Sequence, residues 1–452
     1  MRRAFARSLS ALLLPPVLAL ASILAPTLAP AIAQAQEPTA PATAPAVGQP
    51  SDAPPGSELE VYVMTMGQGD LLWERFGHNA LGIRDTRTGT DVVFNWGMFS
   101  FEQPGFLPRF LRGEMRYWMA GFDATQMLLA YQRDNRSVSV QRLNLTAAQK
   151  DSLRRFVFWN SQDEHKFYRY DYYRDNCSTR VRDAIDRVIG GAIRRASDTV
   201  VTSMTYRDHS LRLMDGMFWT RTGIDLALGH PTDRRISSWE AMFIPMEFQR
   251  RLRDIRVPDV NGQLVPLVVS EQELFTATRP PELTTVPSLA LGGFALGVIV
   301  AILCYLAGFR VAGARWAATL AFVWGAVAGI LGLLLLLLWV ATQHVAAHAN
   351  QNLFFINPLW LAVATLLPFV GSSRRWRDAL LHVVRVLALL SVVGAIVALT
   401  PWGQPSGAIA AYAAPVNVAM YFLVLRVVYL AQQRVNRDAA HLARLSHSAP
   451  RR

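Results

Sequence analysis

The sequence predicts an α+β domain followed by an all-α bundle of about five transmembrane helices. Three observations carry this expectation. Short alternating strands mix with amphipathic helices before Thr278, five long apolar stretches follow Thr285, and arginines fall only in alternate connections between those stretches. At 452 residues, 52% of them hydrophobic, the chain exceeds one ordinary globular domain.

Residues 1–36 read as an export signal. Arg2, Arg3 and Arg7 give a basic start, Leu12 to Leu24 is apolar, and Ala31-Ile32-Ala33 or Ala33-Gln34-Ala35 offers small residues for cleavage. Residues 37–57, rich in Pro and Ala, form a tether too poor in apolar anchors to fold.

The soluble domain is expected over residues 58–278. Leu59 to Met66 alternates as a strand does. Asn79 to Arg84 and Asp91 to Trp96 follow as two more, joined by the turn residues Asp85-Thr86-Arg87-Thr88-Gly89. Ala124 to Arg133 reads as a helix and Ser137 to Leu143 as a strand. Thr146 with Gln149 forms a capping box, and Leu153, Phe156 and Val157 supply the buried face of the helix it opens. A further helix begins near Cys177, with Val181, Ala184, Ile185 and Val188 at helical spacing.

The transmembrane domain is expected over residues 285–432. Leu289–Phe309, Trp316–Ala341, Leu353–Gly371 and Gly407–Leu425 are uncharged, and each is near the roughly 20 residues that a bilayer core requires. Ala379–Thr400 carries His382 and Arg385 near one end, where an arginine snorkels to the interface. Arg310 and Arg315 lie between the first two stretches, Arg374, Arg375 and Arg377 between the third and fourth, and five arginines in the tail 433–452. The connections Thr342–Asn352 and Pro401–Ser406 hold no Lys or Arg. This alternation directs the arginine-bearing loops and the C-terminus to the cytoplasm and the soluble domain to the outside, in agreement with the export signal.

The formal charge of +12 invites a nucleic-acid reading, which the distribution excludes. Only Lys150 and Lys166 are lysines, and much of the arginine flanks apolar spans. The two cysteines, Cys177 in the exported domain and Cys304 inside an apolar run, are not expected to pair.

Candidate chemistry centres on Tyr170-Asp171-Tyr172-Tyr173-Arg174-Asp175-Asn176-Cys177-Ser178-Thr179-Arg180. A cysteine at a helix N-terminus meets unpaired backbone N–H groups that favour its thiolate, and the same groups can hold an oxyanion. A cysteine nucleophile also needs a base. His78, His165, His209 and His230 are available. His78, in Arg75-Phe76-Gly77-His78-Asn79-Ala80-Leu81, enters a strand that would hold its ring, whereas His165 sits in a polar run. His344 and His348 lie in the short polar connection after the second span, and no carboxylate or cysteine accompanies them as a metal set.

A histidine entering a strand, followed downstream by Asn-Cys opening a helix, resembles the permuted papain-like fold of the NlpC and lecithin:retinol acyltransferase superfamily. Several stretches more closely resemble Lnb-type bacterial lipoprotein N-acyltransferases: Trp73 to Leu81, Phe94-Asn95-Trp96-Gly97, Phe110-Leu111-Arg112-Gly113-Glu114, Tyr168 to Arg180, and Trp239-Glu240-Ala241-Met242-Phe243. This similarity extends over most of Leu59–Phe248, and the multi-span half matches as well. It implies Cys177 as nucleophile, His78 as base, and Asn95, or else Asp91, as the residue orienting the histidine. Asn176, Arg180, Arg112, Asp70, Glu74, His344 and Asn352 become candidate substrate contacts, with neither a metal nor a cofactor.

The implied activity, at a bacterial inner membrane, moves an acyl chain from a phospholipid through a Cys177 thioester to the α-amine of a diacylated lipoprotein. The alternatives are a membrane-anchored cysteine hydrolase, either phospholipase or peptidoglycan peptidase or amidase, and a non-enzymatic envelope scaffold.

Overall fold

Alternation of apolar and polar residues fixes which face of a strand is buried, and in this protein both faces are covered. The computed structural model describes residues 53–310, 314–405 and 407–447. The signal segment, most of the tether and the last residues of the tail lie outside them. Seven strands form one sheet: β1 (Leu59–Met66), β2 (His78–Asp85), β3 (Asp91–Met98), β4 (Arg116–Asp123), β5 (Val138–Leu143), β6 (Phe167–Arg169) and β7 (Val268–Phe275). Their order is β7-β5-β1-β2-β3-β4-β6, and every neighbouring pair is antiparallel.

The longer helices of the domain are α1 (Phe106–Arg112), α2 (Ala124–Arg133), α3 (Ala147–Asn160), α4 (Cys177–Val188), α5 (Tyr206–Leu213), α6 (Phe218–Ala227) and α7 (Pro245–Leu252). Val61, Val63, Leu81 and Ile83 on one face of the sheet meet Leu153 and Val157 of α3 and Val181 and Ile185 of α4. Tyr62, Met64, Met66 and Val93 on the other face meet Ala124 and Met127 of α2. Each such fully buried side chain stabilises the fold by about 1.5–3 kcal/mol relative to exposure. The expected capping box is present: the Thr146 side chain accepts from Gln149 N, and the Gln149 side chain accepts from Thr146 N at 2.8 Å. The expected β2–β3 turn is held by Asp85 Oδ1, which accepts from Arg87 N at 2.9 Å, while Gly89 takes the left-handed conformation at φ 72°.

The helical half comprises α8 (Ala290–Arg310), α9 (Ala314–Val340), α10 (Trp360–Leu366), α11 (Arg374–Ala398) and α12 (Gly407–His447). Among the described residues, four helices are long and apolar enough to cross a membrane, not the five expected. The exception is Leu353–Gly371, which does not form a continuous helix. It is divided into a short 3-10 turn (Gln351–Phe354), α10 and a second 3-10 turn (Leu367–Phe369). Pro358 and Pro368 bracket α10. Each lacks the N–H that would continue a helix, and the Asn357 side chain caps Leu359 N at 2.9 Å. Hydropathy counts apolar residues and is blind to these breaks.

The broken segment nonetheless runs antiparallel along α9. Gly332 faces Asn357 and Pro358, Gly329 faces Leu361, and Gly325 faces Trp360 and Ala364. A Cβ at Gly329 would lie 2.5 Å from Leu361 N, so small residues permit this close approach. Asn417 of α12, buried, ties the layers together. It accepts from Trp324 Nε1 at 3.0 Å and donates to the Phe355 carbonyl and Ser391 Oγ, each at 3.1 Å.

Replacing Gly329 by valine should separate α10 from α9 and destabilise the bundle by about 1–3 kcal/mol, as overpacking does. Thermal unfolding of the full chain in detergent measures this. Unchanged stability would show that the close approach is not required.

Candidate active site

Antiparallel pairing of β1 with β2 sets Met66 opposite His78, so the histidine stands where β2 begins, and β5 sets Val138 beside the same Met66. By the Leu81↔Phe94 register, Asn95 of β3 falls on the same sheet face as His78, two residues along. His78 Nε2 lies 2.9 Å from Asn95 Oδ1. The Asn95 amide nitrogen donates to the Val93 carbonyl at 3.0 Å, so Oδ1 is the acceptor and Nε2 carries the proton. In the neutral ring Nδ1 is then the nitrogen with a free lone pair. Asp91, the other candidate orienter, is instead engaged by the Tyr62 hydroxyl at 2.6 Å.

Cys177 opens α4. The Asn176 side chain caps this helix, accepting from Thr179 N at 2.9 Å and donating to the carbonyls of Tyr172 at 3.0 Å and Phe243 at 2.9 Å. Ser178 Oγ lies 3.0 Å from Asn79 Oδ1 and 2.7 Å from the Met242 carbonyl, which fastens the helix tip to the residue after His78. Asn176 is thus a buried cap, both hydrogens of its side-chain amide taken by carbonyls.

Electrostatics at the pair oppose charge in the resting state. Burial pushes the Cys177 thiol up, while the backbone N–H groups of Asn79, Ser178 and Cys177 and the charge of Arg136 pull it down. Burial pushes His78 down to about 4, opposed by the Asn95 hydrogen bond and reinforced by Arg136. Near neutral pH Cys177 is therefore a thiol and the His78 imidazole is neutral.

Two further residues stand at the site, neither of them marked by the sequence as a candidate. Arg136 is buried, donates from Nε to the Gly67 carbonyl at 3.1 Å, and lies over the Tyr131 ring at 4.6 Å. In the sequence it is one arginine among many in a loop. Tyr168 has a buried hydroxyl with no hydrogen-bond partner among the described residues. A Cβ built on Gly97 would lie 4.0 Å from that hydroxyl and 3.4 Å from Cys177 Cβ, so Gly97, at φ +94°, leaves open the space where the two meet.

The remaining candidates are spread more widely. Arg180 is paired with Asp175, its Nη2 2.7 Å from Oδ2, and it covers the Tyr168 ring at 4.1 Å. Arg112 is exposed, with Glu114 at 3.9 Å. Asp70 is bound by Arg279, and Glu74 accepts from Leu71 N at 3.2 Å and faces Arg136 at 3.6 Å. His344 and Asn352 belong to the junction between the two halves. His344 Nε2 donates to the Phe110 carbonyl at 2.9 Å, and Asn352 Nδ2 donates to the Leu226 carbonyl at 3.1 Å. Asn350 donates to the same carbonyl at 2.7 Å, and Gln404 Nε2 reaches the Leu228 carbonyl at 3.1 Å. The polar loops at one end of the bundle are thus docked on the soluble domain.

Fold and site together define a membrane-anchored α/β protein with a cysteine at a helix tip joined to the residue after a histidine that is paired with asparagine. Residues 52–210 match the family described as the Lnb N-terminal periplasmic domain, and residues 290–429 match the Lnb transmembrane domain. The chain is an Lnb-type protein of the inner membrane with a periplasmic domain. No curated protein and no solved structure matches it. The first match ends before Trp239 to Phe243, although Met242 and Phe243 supply the carbonyls that hold Ser178 and Asn176.

Two outcomes are expected. Asn95→Ala frees the His78 ring and should slow alkylation of Cys177 by iodoacetamide about tenfold or more, within the range of a lost general base. In the parent protein that alkylation should rise with pH to a midpoint above the ordinary thiol value of about 8.5. Separately, the unfolded His78 binds a proton between about pH 6.5 and about 4 that the folded ring refuses. The stability it contributes is complete above that window and lost as pH falls through it. A melting-temperature series over this range should show the slope, and His78→Gln should flatten it.

Proposed function

We propose that this protein is a thiol acyltransferase that moves an acyl chain from a phospholipid to the α-amine of a diacylglyceryl-cysteine lipoprotein. The observation that carries the reading is the His78–Asn95 pair at 2.9 Å together with Cys177, whose neighbour Ser178 is hydrogen-bonded to Asn79, the residue following that histidine. Its strand-then-helix order also supports the permuted papain-like reading.

In the first half-reaction, His78 Nδ1 takes the Cys177 proton as the sulfur attacks the ester carbonyl. The N–H groups of Asn79 and Ser178, which already favour negative charge on the sulfur, stabilise the tetrahedral oxyanion. Collapse breaks the ester C–O bond, the imidazolium protonates the departing lysophospholipid alkoxide, and a thioester remains. In the second, the neutral lipoprotein amine attacks that thioester, its surplus proton passes to His78, and the C–S bond breaks. The proton then returns to sulfur, giving an amide and the free thiol. Exclusion of water decides transfer over hydrolysis.

The membrane half supports the lipid substrates by holding the domain beside the bilayer, which raises their effective concentration. We further infer five passes, with the broken segment around α10 as the third and the C-terminus in the cytoplasm. The docked loops near His344 and Gln404 lie at the domain end of the bundle, and the arginines follow the opposite alternation.

Mass spectrometry of lipoprotein N-termini tests the activity. Cells with the parent protein should carry triacylated termini, and cells with Cys177→Ser should revert to the diacyl form while accumulating no thioester. An unchanged diacyl-to-triacyl ratio removes the transferase reading. Release of free fatty acid without amide formation would identify a phospholipase instead.

A further inference from the structure

Between β3, which carries Asn95 and Gly97, and β4 runs a segment rich in aromatic rings. Its Phe99, Phe101, Phe106 and Phe110, joined by Trp73 from the turn before β2, touch in succession at centroid separations of 5.2–6.2 Å, and Phe110 meets His344 of the transmembrane half at 6.2 Å. At its inner end Phe99 stacks on Tyr117 at 5.0 Å, and Tyr117 stacks on Tyr170 at 4.2 Å. Gly97, two residues before Phe99, lies against Cys177, since a Cβ built on it would fall 3.4 Å from Cys177 Cβ, so this end of the wall approaches the cysteine.

The outer edge is different. Leu107 and Leu111 of α1 are 58% and 59% exposed, beside the exposed Phe101 and Phe110. A contiguous apolar edge of this kind on a soluble domain marks a partner surface. Its position names the partner, because α1 sits directly on the end of α9. Gln343 N donates to the Arg112 carbonyl at 2.7 Å, Gln343 Nε2 donates to Glu114 at 2.9 Å, and a Cβ on Gly113 would strike the Gln343 backbone at 2.8 Å. Arg109 and Arg112 fall in the last turn of α1, where basic side chains suit the headgroup layer. Nearby, Leu226 of α6 packs into the membrane bundle, and the other end of that helix exposes Phe218 and Trp219. The underside of the domain is therefore apolar on both sides of the docked loop.

We propose that residues 99–112 seat in the periplasmic leaflet of the bilayer and that their aromatic inner wall receives a lipid acyl chain on its way to Cys177. The seating stands on geometry alone; the route to sulfur rests on the acyl-transfer reading. Aromatic faces suit a chain that must slide, offering dispersion contact with no polar group to desolvate.

The test uses the full chain carrying Cys177→Ser and Cys304→Ser, reconstituted in phosphatidylethanolamine and phosphatidylglycerol vesicles. Leu111→Cys bears an environment-sensitive fluorophore, and Val260→Cys, at a site 82% exposed on a distant hairpin, serves as reference. The label at 111 should shift to the blue, be quenched by doxyl groups on the lipid chains, and resist aqueous iodide. The label at 260 should do the reverse. Equal iodide quenching at both sites, without doxyl quenching at 111, overturns the seating.

For the route, a phospholipid with a diazirine in its acyl chain should crosslink to residues 99–106 in the same background. Crosslinks confined to the transmembrane helices overturn it. Because this protein lacks the nucleophile, neither readout depends on acyl transfer, so failure here is distinguishable from failure of the proposed activity.

Discussion

The fastening of the α4 tip to the start of β2 determines whether this protein has a site at all. A helix N-terminus leaves backbone N–H groups without partners, and here they are divided between structure and chemistry. Asn176 satisfies Thr179 N, while the N–H groups of Cys177 and Ser178 remain directed at the sulfur. Contacts between Ser178 and Asn79 and between Asn176 and the Phe243 carbonyl then fix the tip against the strand that carries His78. These groups are buried, and breaking one contact leaves its partner unpaired at a cost of about 1–3 kcal/mol. Hydrogen bonds of Ser178, Asn79 and Asn176 thus hold the helix tip, while Asn95 holds the His78 ring.

A second constraint joins the two halves. Carbonyls at the end of α6 accept from Asn350, Asn352 and Gln404, and α1 rests on the backbone of Gln343. Helix-end carbonyls have no partner within the helix, so donors from the membrane loops complete them. The domain is thereby oriented on the bundle as well as tethered to it. The aromatic segment and the exposed end of α6 lie on either side of this docked junction.

Much of this was legible in the sequence wherever local rules govern. The limits of β1 and α2, the Thr146 capping box and the helix start at Cys177 all follow from patterns within a few residues. His78 and Asn95 were readable because each begins or lies on a strand in a distinctive motif. Illegible features depended on distant partners. Asn176 reads as a group beside a nucleophile until Tyr172 and Phe243 claim it. Arg136 acquires its role only when β5 is laid beside β1, and Tyr168 only when Gly97 opens a space near the sulfur. Arg180 has a neighbour, Asp175, that occupies it. The breaks in the third apolar stretch come from Pro358 and Pro368, which a count of apolar residues does not register.

The suppressed ionisation of Cys177 bears on durability. Oxidants and disulfides react with the thiolate, and an unpaired cysteine outside the cytoplasm meets both continually. A sulfur that keeps its proton at rest is a poor target for them. The burial that holds the proton on this solitary thiol therefore also slows its loss to oxidation.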